Sequence, residues 1–185
     1  MKYTLRLLFL SLPLVLLVAC DSSEPLESAV VASAEEEEFM LEVINGPHRS
    51  ADNKARDAYR HPVETLRFFN VTPESTVLEI WPGAGWYTEI LGPYLRDKGR
   101  YIAGGFDPES DVKFIRAAAE RFQGKLDANP ELYGKAETVV FIPQDQLEVI
   151  DAESVDVVLT FRSIHNWMPR GSDAQMFEAM YRALK

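Results

Sequence analysis

The stretch VLEIWPGAGWYTEIL, residues 77–91, sets a carboxylate, Glu79, inside an apolar run and follows it with Gly83 and Gly85. Glycine takes positive φ without strain and lets a ligand approach the backbone, so this spacing suits a loop that cradles a nucleotide or cofactor. Two better-defined loops fit poorly. A dinucleotide fingerprint needs a third glycine where Thr88 stands, and a P-loop needs Lys-Ser/Thr after the glycines. Further along, Arg162, His165, Asn166 and Trp167 follow a second apolar run. His165, a side chain whose ordinary pKa lies near neutrality, is the one plausible general base among them. The bland alternatives stand beside these: a tight strand-helix corner at the glycines, and a histidine closing a strand end. The three His lack metal-ligand spacing and Cys20 is the only Cys, so no zinc or other metal is expected.

The elements that must position these groups alternate. Residues 76–81, 100–106, 137–142 and 155–161 read as strands without polar alternation, and 86–96 and 111–122 as helices between them. Strands apolar on both faces, separated by helices, imply a parallel sheet covered on both sides. The expected fold class is therefore α/β, a Rossmann-like doubly wound, mostly parallel sheet. Pro82 is expected to hold Trp81 extended, carrying the first strand one residue further, and Pro62 to do the same to His61. Ser50 can cap a helix that opens the segment 50–69. The last segment, residues 173–185, has Met176, Phe177, Met180, Tyr181 and Leu184 on one side at helical spacing.

The N-terminus has a different character. Lys2 and Arg6 precede the apolar run 7–19, which suits a signal peptide better than a membrane span. The run ends LVAC, which resembles the lipobox of bacterial lipoproteins. That resemblance implies cleavage before Cys20, a lipid on Cys20 and a membrane anchor in the bacterial cell envelope. It implies a periplasm-facing position, with Asp21 suggesting retention at the inner membrane. Residues 20–40 are rich in Ser, Ala and Glu, with EEEE at 35–38, and read as an acidic flexible tether before a domain over 41–185. The net charge of −10 argues against a nucleic-acid partner bound through a basic surface.

Acid, spacer, glycine turn and helix together resemble the first motif of the class I S-adenosylmethionine-dependent methyltransferases. Further pieces follow in that family's order: GGFDP with Asp107, IPQDQL with Asp145, SVDVVLTFRSIHNW and MYRALK. HPVETLRFF, EIWPGAGWYTEIL and FRSIHNW are similar to a subgroup of predicted methyltransferases. The resemblance spans about residues 60–185. It implies S-adenosylmethionine as cofactor, held by Glu79, Gly83, Gly85, Asp107 at the ribose and Asp145 at the adenine. It places a small-molecule acceptor beside Arg162, Asn166 and Trp167, with His165 taking a proton. Trp81, Trp86 and Tyr87 read chiefly as packing aromatics, the alternative being a ring that faces the sulfonium. Arg60 and His61 lie in a segment that often closes over the cofactor, and a packing role is favoured for them.

The family's sheet has about seven strands ordered 3-2-1-4-5-7-6. The chain is therefore expected to stop after the fourth strand and its following helix, leaving that strand as an apolar, unpaired edge. The cofactor is made in the cytoplasm, whereas the leader points outside it. An alternative function follows: a non-catalytic, membrane-anchored binding module with an adenosine-like or aromatic ligand in the same crevice.

Overall fold

The computed structural model describes residues 34–142 and 149–185. The leader, Cys20, Asp21 and Asp145 lie outside them. Four short helices come first: α1 (Ala34–Asn45), α2 (Ala51–Lys54), α3 (Asp57–Arg60) and α4 (Pro62–Phe68). Then β1 (Thr76–Ile80), α5 (Thr88–Leu95), β2 (Arg100–Gly105), α6 (Lys113–Asp127), α7 (Pro130–Tyr133) and β3 (Glu137–Val140) follow. The described chain closes with β4 (Val157–Thr160), α8 (Ile164–Trp167) and α9 (Asp173–Ala183).

The strands are parallel in the order β3-β2-β1-β4. Strand order reverses between β1 and β4, so a crevice opens beyond their C-terminal ends, where ligands of doubly wound sheets bind. β1 is buried throughout. Its side chains alternate between the two faces: Val77 joins Ile90, Leu91 and Tyr94 of α5 in one core. Leu78 and Ile80 join Trp167 of α8 and Met176 and Met180 of α9 in the other. Each fully buried Leu or Ile contributes about 1.5–3 kcal/mol relative to exposure. β1 thus holds Glu79 rigidly, opposite Ala103 of β2 and Leu159 of β4.

Three local expectations are corrected. The acidic run at 35–38, expected in a flexible tether over 20–40, instead belongs to the start of α1, whose Met40, Val43 and Ile44 are buried. Acids in a first turn suit the positive end of the helix dipole. His61 is left-handed (φ 44°) rather than extended. Its N–H closes α3 on Asp57 O, while its carbonyl accepts from Thr65 N at the start of α4, so one residue ends one helix and begins the next. In α9 the buried stripe is Met176, Ala179, Met180 and Ala183, with Phe177 and Tyr181 turned outward. β4 stands at the edge of the sheet, and just before it Leu184 bridges Val155 in parallel and Lys185 N donates to Val155 O. Beyond that bridge, β4 pairs with β1 alone among the described residues.

Candidate active site

The glycine loop leaves β1 by a sharper turn than Pro82 alone dictates. Trp81 is left-handed (φ 54°), against the expectation that it continues the strand. Its N–H still reaches Gly104 O at 2.8 Å, and its indole N–H donates to Phe141 O at 3.3 Å. The ring packs on Phe106 and edge-on to Trp167, centroids 5.0 and 5.7 Å away. Packing of that large ring compensates a backbone conformation that costs a non-glycine residue about 1–2 kcal/mol. Gly83 (φ 64°) and Gly85 (φ 76°) complete the turn. A Cβ on Gly85 would stand 3.0 Å from Lys125, whose ammonium binds Glu89 at 2.6 Å, whereas a Cβ on Gly83 would meet open space. Gly85 is therefore demanded by packing as well as by φ, and Gly83 is the residue that a ligand can approach.

Glu79 lies beneath this loop, 3% exposed. Its Oε2 accepts from the Tyr101 hydroxyl at 2.6 Å, and Thr88 Oγ1 lies 2.7 Å from the Tyr101 oxygen and 3.3 Å from Oε2, so its single proton is shared between those two acceptors. Burial raises its pKa to about 7, against the pull of these two hydrogen bonds and of Arg60. Burial and the adjacent carboxyl also push the Tyr101 phenol well up. Thr88, which spoils the dinucleotide fingerprint, thus serves here by orienting Glu79. Its partner Tyr101 sits on β2, 22 residues from Glu79, and no local pattern announces it.

Two cavities flank the loop, and Trp81, Pro82 and Gly83 line both. The larger, about 580 Å³, runs between the ends of β2 and β3 and helix α6, with Phe106, Pro108, Gln123 and Asp127 among its walls. Asp107 stands beside it, and its Oδ1 accepts from Glu109 N at 2.8 Å, so the carboxylate also fastens the turn that follows β2. The smaller cavity, about 300 Å³, is bounded by Glu79 below and by Arg56, Arg60, Arg162 and His165 around it. Its aromatic walls are already engaged. Tyr87 stacks on Phe161 at 4.1 Å, and Trp86 carries the guanidiniums of Arg60 and Arg49 at 4.7 and 5.1 Å. Trp81 is the one of the three loop aromatics that reaches both cavities.

Of the residues expected at the β4 end, Arg162 and His165 line the smaller cavity and are exposed. Asn166 is exposed and lines neither cavity; its carbonyl accepts from Arg170. Trp167, expected beside the acceptor, is fully buried beneath Trp81 and against Phe177 and lines neither cavity. Arg56 and Arg60 join Arg162 across the crevice, a meeting of segments about a hundred positions apart. Arg60 has a site position as well as the packing role expected of it.

No family model matches the chain, and no curated protein matches it. Among solved structures, a SAM-dependent methyltransferase from Aquifex aeolicus aligns with a TM-score of 0.55 at 17% identity, covering 80% of this chain and 67% of that one. An O-methyltransferase from Bacillus cereus in complex with SAH aligns with a TM-score of 0.46 at 15% identity, covering 84% of this chain and 64% of that one. The chain thus spans about two thirds of the length of each. The Aquifex likeness and the parallel order β3-β2-β1-β4 define the fold as a Rossmann-like doubly wound parallel sheet.

Proposed function

We propose that the chain carries out S-adenosylmethionine-dependent methyl transfer to a small-molecule acceptor. The observation that carries this reading is the left-handed Gly83 at the junction of two cavities, above a buried Glu79 and at the switch point of the sheet. A two-part ligand can lie across that junction: adenosine in the larger cavity, near Asp107, and the methionine end over Gly83 and Gly85. The cofactor supplies the methyl group on a sulfonium. The protein's share is to hold the two reactants in line and to exclude water. His165, at the rim of the smaller cavity, takes the acceptor's proton. The Aquifex protein that shares the fold is itself SAM-dependent, which supports the choice of cofactor.

The testing experiment is calorimetric titration of the chain with S-adenosylhomocysteine, followed by turnover assays. Micromolar binding is expected, and His165→Ala should abolish turnover while leaving that affinity intact. Unchanged turnover in the variant would reduce His165 to a structural residue. The signal-like run and LVAC at 17–20 support a lipid anchor on Cys20 and a periplasm-facing position, which membrane fractionation checks. They also favour a second reading, a membrane-anchored module that binds such a ligand without turnover. Binding of S-adenosylhomocysteine with no transfer to any acceptor would select it.

A further inference from the structure

The smaller cavity concentrates positive charge in a protein whose net charge is −10. Arg56, Arg60 and Arg162 all line it, and none has an ion-pair partner among the described residues. Glu79, the one acid among the cavity's lining residues, has its pKa raised by burial to about 7 and so carries only part of a negative charge near neutral pH. Arg60 is half-buried, and its proton is held less firmly than usual because of that burial and the like charges of Arg56 and Arg162. Arg162 keeps a left-handed backbone (φ 60°), an unfavourable conformation for a residue with a side chain. Arg49, Arg67, Arg96 and Arg100 by contrast each pair with a carboxylate. Three unmatched guanidiniums around about 300 Å³ repel one another, and they would also repel a sulfonium.

We propose that this cavity takes a small planar acid as the methyl acceptor, its carboxylate held by Arg60 and Arg162, with Arg56 adding charge at the mouth. The inference rests on the methyl-transfer reading and names its substrate class. A carboxylate accepts paired N–H donors from the planar guanidinium fork. It also offsets the charge that would otherwise oppose the incoming sulfonium. The ring of the acid lies beside Trp81 and Phe161, the aromatic side chains of the lining that keep some exposure. The acceptor hydroxyl gives its proton to the imidazole of His165. Its oxygen bonds to the methyl carbon as the carbon–sulfur bond breaks, and sulfur keeps that electron pair as a thioether.

The same guanidiniums could instead serve the carboxylate of the cofactor's own amino-acid end, and the experiment separates the two. The full 185-residue chain, in mild detergent at 0.15 M salt (roughly physiological), is titrated with 4-hydroxybenzoate, with its neutral counterpart 4-hydroxybenzamide, and with S-adenosylhomocysteine. Arg60→Gln and Arg162→Gln are compared with the unaltered chain. Benzoate should bind about tenfold more tightly than benzamide, a ratio equal to one charge-assisted hydrogen bond, and each variant should erase most of that preference. S-adenosylhomocysteine affinity should stay unchanged in both. Equal binding of the two probes, or binding of neither, overturns the proposal while S-adenosylhomocysteine binding sustains the methyl-transfer reading. Loss of S-adenosylhomocysteine affinity in the variants, with the probes unaffected, also overturns it and assigns the arginines to the cofactor. Benzoate binding without S-adenosylhomocysteine binding keeps the anion site and sinks the methyl-transfer reading. Arg162 is exposed, so Arg162→Gln folds even if Arg60→Gln, which removes the contact on Trp86, does not.

Discussion

Glu79→Gln isolates the one buried acid that the crevice depends on. Gln keeps an oxygen for the Tyr101 and Thr88 hydroxyls but cannot ionise. In the unfolded chain Glu79 releases its proton near its ordinary value of 4.5, and in the folded chain near about 7. Below 4.5 both states are protonated and the group contributes nothing to the pH dependence. Between 4.5 and about 7 the unfolded state has released its proton and the folded state has not, so stability falls as pH rises. At about 1.4 kcal/mol per pH unit, the interval is worth about 3 kcal/mol. The group is fully buried, so solvent screening offers little reduction. The assay is urea unfolding of the unaltered chain and Glu79→Gln at intervals from about pH 5 to 8, taking the difference at each pH so that other titrating groups cancel. That difference should move by about 3 kcal/mol in favour of Gln, with most of the change complete by pH 7. A difference constant across the range would refute the reasoning, because it would mean that Glu79 ionises equally freely in both states.

The two glycines of the loop should separate. Gly83→Ala costs about 1–2 kcal/mol from the left-handed backbone alone, whereas Gly85→Ala costs more, because its Cβ displaces Lys125 from Glu89. Equal losses in urea unfolding would show that Lys125 moves aside freely. Trp167→Ala should cost about 3–5 kcal/mol as a core truncation, and Trp167→Phe much less, since the indole N–H it removes is buried without a partner among the described residues. An unchanged stability for Trp167→Ala, accompanied by altered acceptor preference, would return Trp167 to the binding site.

By itself the sequence determined the alternation of strands and helices, the parallel sheet, and the corner at which Glu79 meets Gly83 and Gly85. These are local properties. Apolar runs of strand length and glycine's tolerance of positive φ act within a few residues and survive any surroundings. Only the tertiary structure decided the rest. Trp81 turns left-handed because Phe106, Phe141 and Trp167, from three other segments, surround its ring. Thr88 and Tyr101 hold Glu79 because the register of β1 on β2 and the start of α5 bring them together. His165 reaches the cavity while Trp167, two positions on, is driven into the core, since successive positions of a one-turn helix face different ways. Arg56 and Arg60 meet Arg162 only because strand order reverses between β1 and β4. No local pattern encodes such a meeting, for its energy comes from contacts between segments that the sequence keeps far apart.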